Sequence, residues 1–377
     1  MLIATPNLCL DRTQFLSEVV PGAVMRAPEV EVTAGGKGVN IARVVRAFGR
    51  RAVLTGLVAD DDRAQLLGLL AGEGAEFVAV PMPGRVRVAV VMIESGPGRI
   101  TIVNEAGSPI ASEVWDRYAA AVTEQLPGHG VLICSGSLPP GAPLDGYGRL
   151  VERAHGAGVL AMVDTAPPAL RAALAAGPDL VAPNLAEAES AISGTSGMIL
   201  ADGPDNVRER AEEAARALVA LGARAAVVTA GGAGLALATG TDDVPRWIET
   251  VPVEVVSAVG AGDSFLAGVA LALAERPPGS AVDWLPAVLR GAATATASCE
   301  QLRAGGVDPA RVRELLARLT ARGTGSVPAD RRRTGLDPDW AVARHLQNSG
   351  VRPEGPLTTA GPDAGHTSFI TCDGAHR

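Results

Sequence analysis

This sequence predicts an α/β fold, a doubly wound and mostly parallel sheet with a smaller second sheet, on three observations. Apolar runs of strand length alternate with amphipathic stretches of helical period, the order expected of buried parallel strands joined by crossover helices. Glycine-rich and polar clusters follow the strand-like runs, where open α/β sheets keep their sites. The composition, 47% hydrophobic with only 3% aromatic, suits an Ala, Val and Leu interior between helices and sheet.

The elements follow in order. MLIAT (1–5) reads as the first strand, and NIARVVRAFG (40–49) as a helix packed on it. AVLTGLVA (52–59) is followed by the helix-period DDRAQLLGLLAGEG (61–74), and VLICSG (131–136) by LDGYGRLVERAHGAG (144–158). VLAMVDT (159–165) and LVAPN (180–184) are further buried strands, and NVRERAEEAARALVALGA (206–223) is the helix before AAVVTAGG (225–232). Two segments, 12–34 and 84–105, break this rhythm; within the second, RVRVAVVMIE and RITIVNE read as an antiparallel pair joined by SGPG. They predict a small projecting sheet, a lid able to cover a ligand or to pair with another subunit's lid. From residue 323 to 377 the composition turns to Pro, Gly, Thr and Arg, which predicts a folded domain over 1–322 and a disordered tail beyond it.

Charge and cysteine usage exclude several classes. A net charge of −8 without a basic, aromatic-interleaved stripe argues against nucleic acid or an anionic membrane as partner. No apolar run approaches the roughly 20 residues of a membrane span. MLIATPNLCLDRT lacks a signal-peptide pattern, so a cytoplasmic location is expected. Cys9, Cys134, Cys299 and Cys372 have neither zinc-site nor disulfide-framework spacing and are expected to be reduced. HExxH, GxSxG, Walker A and GxGxxG patterns are absent, and no histidine stands out as a base.

Two short stretches carry the chemistry. Lys37, in Ala34-Gly-Gly-Lys-Gly38, is the single lysine among 33 basic residues, and a compact ammonium kept among glycines reads as a site requirement. Val259-Gly-Ala-Gly-Asp-Ser264 opens a helix, where unpaired N–H groups and the positive end of the macrodipole form a seat for phosphate. A carboxylate beside a phosphate repels it unless it takes a proton from the attacking group. Asp263 then reads as a base for phosphoryl transfer, with backbone N–H groups of Gly260, Ala261 and Gly262 as anion hole. A plain helix-capping Asp is the other reading. The dipole is expected to lower the Asp263 pKa.

These residues resemble the ribokinase-like (PfkB) carbohydrate kinases, most closely their 1-phosphofructokinase and tagatose-6-phosphate kinase branch, from about residue 2 to 320. The resemblance rests on Ala34-Gly-Gly-Lys-Gly-Val-Asn-Ile-Ala-Arg43 and Val259-Gly-Ala-Gly-Asp-Ser264. Asn7, Asp11-Arg12-Thr13, Asn104-Glu105, Ser135-Gly-Ser-Leu-Pro139 and Asn184-Leu-Ala-Glu187 support it. It implies transfer of the ATP γ-phosphate to a sugar or sugar-phosphate hydroxyl with Mg2+, and Asp263 as catalytic base. Asp11, Gly36, Lys37, Asn40, Arg87, Glu105 and Ser135 would face the sugar or its phosphate. Thr229 and Gly231 would contact nucleotide phosphates, and the helix around 291–297 would wall the adenine. Asn184 and Glu187 would organise Mg2+ through water, although the same pair reads equally well as a helix cap and its capping box.

Two departures bear on substrate. The lid strand reads Val86-Arg-Val-Ala-Val-Val91 where the branch usually has Thr-Arg-Thr-Asn-Val-Lys, so only Arg87 survives. Ala182 stands where lysine usually precedes Pro-Asn. Three readings follow: a hexose-phosphate kinase of the fructose-1-phosphate or tagatose-6-phosphate type, a kinase of a neutral sugar or nucleoside, and a non-catalytic sugar-phosphate or nucleotide sensor. A homodimer through the lid strands is expected from the edge they would otherwise expose.

Overall fold

The computed structural model describes residues 1–323 except 97, 195–205, 243 and 278. The tail expected from residue 323 onward lies outside the described residues but for Gly323, which ends a helix.

In chain order, β1 (Leu2–Ala4) leads into β2 (Cys9–Leu16) and β3 (Glu29–Gly35), then α1 (Lys37–Ala47), β4 (Val53–Ala59), α2 (Arg63–Gly72) and β5 (Glu76–Met82). β6 (Arg87–Glu94) and β7 (Arg99–Asn104) precede α3 (Ser112–Gln125), β8 (Val131–Ser135), α4 (Gly146–Gly156), β9 (Leu160–Asp164) and α5 (Pro167–Leu174). The chain continues through β10 (Leu180–Val181), α6 (Leu185–Ser193), α7 (Val207–Ala220), β11 (Ala225–Thr229), β12 (Leu235–Thr239) and β13 (Arg246–Ile248). It closes with α8 (Ala261–Ala274), α9 (Trp284–Cys299) and α10 (Pro309–Gly323).

Nine strands form one sheet in the order β13-β12-β11-β10-β9-β8-β1-β4-β5. All pair in parallel from β5 to β11, and β12 and β13 add antiparallel at one edge. Every residue of β4 and β8 is buried, as expected of strands covered on both faces. α1, α8, α9 and α10 pack on one another in series, and α3 to α7 in a second series. Strand order reverses at β1, between β4 and β8, and open α/β sheets bind ligands beyond the strand carboxyl ends at such a point.

The segments that broke the βα rhythm form the second sheet, in the order β3-β2-β6-β7. The expected antiparallel pair is β6 with β7, closed by Glu94 opposite Arg99. Register puts Cys9 and Arg87 in one row across this sheet and Thr33, Asp11, Ala89 and Asn104 in the next, all on one face. Two further rows on that face are Glu31, Thr13, Val91 and Ile102, then Glu29, Phe15, Ile93 and Ile100, apolar on β6 and β7 and acidic on β3. Among the described residues no helix is long and apolar enough to cross a membrane.

Candidate active site

Strand ends and helix starts supply the site. The turn after β3 carries Gly36, whose φ of 111° lies outside ordinary L-residue space, and it starts α1 at Lys37. One turn into α1 sits Asn40, 7% exposed. The carboxyl ends of β8, β9, β10 and β11 bring Ser135, Asp164, Asn184 and Thr229, with Asn184 and Thr229 joined by a parallel bridge. Tyr147 holds the turn after β8 in place by donating its hydroxyl to the carbonyls of Ser135 (3.1 Å) and Gly136 (3.0 Å).

Gly260 is the N-cap of α8 in the left-handed conformation, φ 78°, packed against Ala304. No heavy atom lies within 4 Å of where a Cβ on Gly262 would stand, so the helix start opens onto free space. The Ala261 N–H donates to the Ala258 carbonyl at 3.2 Å. Asp263, in the first helical turn, is 5% exposed and accepts from Asn40 Nδ2 at 2.8 Å. Lys37 Nζ meets Asp164 Oδ2 at 2.8 Å, a bond between α1 and the end of β9.

The charges are coupled. Burial pushes the Asp263 carboxyl up to about 7; Asp164 and Glu187 add to the rise, and Lys37 and the Asn40 amide oppose it. The expectation of a lowered pKa is therefore corrected: desolvation outweighs the helix dipole here. Burial alone would lower the Lys37 pKa, but Asp164, Asp263 and Glu187 together hold it above the ordinary lysine value. Glu187 is raised by burial and by Asp164 against the pull of Lys37. Asp11 is likewise raised by burial, and accepts from the Cys9 thiol at 3.1 Å.

Not every expected residue meets this centre in the same way. Arg87 donates from Nε to the Asn7 carbonyl (3.0 Å) and from Nη1 to the Glu105 carbonyl (3.3 Å), on the small-sheet face shared with Asp11. The Glu105 carboxylate turns back to the Val88 N–H at 2.8 Å. Asn184 and Glu187 do form a capping box: Asn184 Oδ1 accepts from the Glu187 N–H (2.9 Å) and Glu187 Oε2 from the Asn184 N–H (3.1 Å). That bond engages one Glu187 oxygen and leaves its charge acting on Lys37 and Asp263. Ala182 is 7% exposed. Gly231 starts an exposed turn after β11.

Asp164 received no role from the sequence, although it ends a buried strand as the aspartate of VLAMVDT. Its partner Lys37 is 127 residues away in the chain. Arg43 ends the Ala34–Arg43 motif, and its position three residues after Asn40 on one helix face is the sequence signal for a shared task.

Three hydroxyls, Ser135 Oγ, Thr165 Oγ1 and Ser264 Oγ, are buried without a protein partner, and all three neighbour the strand ends or the first turn of α8. Buried polar groups normally find partners. The arrangement gathers a helix start, a lysine and carboxylates beside the strand ends.

Comparison with known proteins gives the family and the fold. The sequence profile described as pfkB family carbohydrate kinase matches residues 4–311. The 1-phosphofructokinase of Rhodobacter capsulatus is 33% identical over 264 residues, 70% of this chain and 80% of the relative. That of Escherichia coli (strain K12) is 29% identical over 273 residues, 72% and 83% of the two chains. Phosphofructokinase-2 from Escherichia coli, solved in complex with potassium, superposes with a TM-score of 0.73 at 26% identity, covering 85% of this chain and 99% of that one. Ribokinase from Thermotoga maritima, at 20% identity and a TM-score of 0.62 over 84% and 98% of the chains, shares the fold. With the family's model matching nearly all the described residues, the chain belongs to the pfkB family of carbohydrate kinases.

Proposed function

We propose that the protein transfers the γ-phosphoryl of ATP to a hydroxyl of a ketohexose phosphate, as a 1-phosphofructokinase does, with Asp263 as base. The observation that carries this reading is Asp263 itself: a buried carboxyl near pH 7 in its titration, at the open start of α8 and held by Asn40. A base tuned near the working pH can take the hydroxyl proton as the sugar oxygen attacks phosphorus and the bond to ADP breaks. The Gly260 and Gly262 N–H groups would hold the transferring oxygens, the Ala261 N–H being taken by the Ala258 carbonyl, with Gly262 leaving room for their approach. Asp11 and Arg87, on one face of the small sheet, would hold the sugar and its phosphate, and Lys37 would steady the charge between the two substrates. The names of the relatives support the substrate class.

The donor set fits Mg2+. Among the described residues no group of three or more His, Cys, Asp or Glu forms a cage, and Mg2+ is usually held by one or two carboxylates with nucleotide phosphates and water. Glu187 and Asp164 would supply that carboxylate charge, since the bonds described engage one oxygen of each. When bound, the cation would neutralise charge on the β- and γ-phosphates.

A second reading, a neutral sugar as acceptor, is favoured by Ala89 and Val91, which put no charge on the cleft face where the branch has polar groups. ADP release with Mg2+ and ATP separates the two. Turnover on fructose 1-phosphate supports the first reading, and turnover confined to free sugars replaces it. We also place a homodimer contact on the small sheet, whose β7 exposes Ile102 (39%) and Val103 (56%).

A further inference from the structure

Arg43 lies one helical turn beyond Asn40, with 9% of its side chain exposed, and gathers four segments at once. Nε donates to Glu73 Oε2 (3.0 Å) and Nη2 to Glu73 Oε1 (2.8 Å), a two-pronged pair with the residue after α2. Nη2 also donates to the Ala34 carbonyl at 2.7 Å, just before the Gly35-Gly36 turn. Nη1 donates to Asn40 Oδ1 at 2.8 Å and to the Ala304 carbonyl at 3.3 Å. Ala304 is the residue against which Gly260 packs, and a Cβ on the next residue, Gly305, would lie 2.6 Å from the Asn40 carbonyl.

The Asn40 amide has one acceptor end and one donor end. With Arg43 donating to its oxygen, the amide nitrogen is the end that faces Asp263. The flipped amide would set oxygen against a carboxylate and N–H against a guanidinium, so two unfavourable contacts exclude it. Glu73 in turn fixes the plane of the guanidinium, and Arg303 Nη2 reaches the same Glu73 oxygen at 2.6 Å from the Ala304 loop.

We propose that Arg43, clamped by Glu73, is a positioning residue: it sets the Asn40 amide toward Asp263 and ties the turn before α1 to the turn that carries Gly260. This rests on the reading of Asp263 as base, and it adds an arm that acts on Asp263 through Asn40. The arm is a second layer of control on the reacting geometry, and small displacements there cost rate more than binding.

The test is a cycle. Arg43→Met is made together with Glu73→Gln, so that no desolvated carboxylate is left unpaired, and combined with Asn40→Ala. In the parent background the paired change is expected to lower kcat on fructose 1-phosphate on the order of tenfold or more, with KM for ATP within about threefold. In the Asn40→Ala background the same change is expected to lower kcat by less than about twofold, because the arm acts through Asn40. An equal loss in both backgrounds shows a merely structural brace and overturns the proposal. Arg43→Lys, which keeps the charge but not the fork, serves if the paired variant does not fold. A crystal structure of either variant decides the matter without turnover: the Asn40 amide is expected to leave Asp263, and an unaltered Asn40 Nδ2 to Asp263 Oδ2 contact overturns the proposal. Turnover persisting in Asp263→Asn would instead sink the base assignment, leaving the crystallographic result to judge the arm alone.

Discussion

Asp263 meets two opposed demands, since burial disfavours its charge while Lys37 and Asn40 favour it. Its replacement by Asn is expected to reduce kcat by about a thousandfold or more, with binding of a non-hydrolysable ATP analogue little changed in calorimetry. Because the base must be ionised, kcat/KM is expected to fall as pH drops below about 7. A further fall is expected near pH 6, where a sugar phosphate itself takes up a proton. Linkage has the opposite sign. The native carboxyl, near 7, binds more protons than the unfolded one with its ordinary value of 3.8, so this group's contribution to stability declines as pH rises from about 4 to about 7. Asp263→Asn should therefore raise Tm more at pH 8 than at pH 5, measured by calorimetry; an equal shift at both would contradict the assigned titration.

At the scale of elements, the start of α8 is placed by its crossing with α9. Built on Gly268, a Cβ would stand 2.8 Å from the Gly291 Cα and 2.9 Å from the Arg290 carbonyl, so the helices touch backbone to backbone. Gly268→Ala is expected to force the crossing apart at a cost of about 1–3 kcal/mol and to lower kcat by moving the first turn; urea unfolding and kinetics on one preparation check both. Gly262→Ala makes the contrasting case. Its Cβ meets nothing within 4 Å, and Ala propagates a helix better than Gly. Folding should hold or improve while kcat falls at least about tenfold as the methyl enters the space meant for phosphoryl oxygens. Unimpaired turnover in Gly262→Ala would move the anion seat elsewhere.

For the whole molecule, the proposed assembly surface lies on the small sheet. A four-stranded sheet whose outer strands β3 and β7 pair with no further strand among the described residues, and which exposes Val30 (43%), Ile102 (39%) and Val103 (56%), is a surface that proteins normally cover. Ile102→Lys with Val103→Lys is expected to convert a dimer to a monomer by light scattering while leaving Tm of the main fold within a few degrees. A parent that is monomeric at micromolar concentration would remove the dimer proposal.

How much of this was legible beforehand divides along sequence separation. The βα order, the small sheet interrupting it, the helix start within Val259–Ser264 and the singular Lys37 are local facts, carried by periodicity, glycine placement and residue type within a few positions. Asn40 meeting Asp263 across 223 residues, Lys37 meeting Asp164 across 127 and Arg43 meeting Glu73 across 30 have no local signature. The sequence by itself determined the fold class and singled out Lys37 and Asp263, but not Asp164. Only the tertiary structure decided the proton affinity of Asp263 and the direction of the Asn40 amide, because desolvation and charge are sums over whatever the fold brings close, and here they reverse what the helix dipole alone predicts.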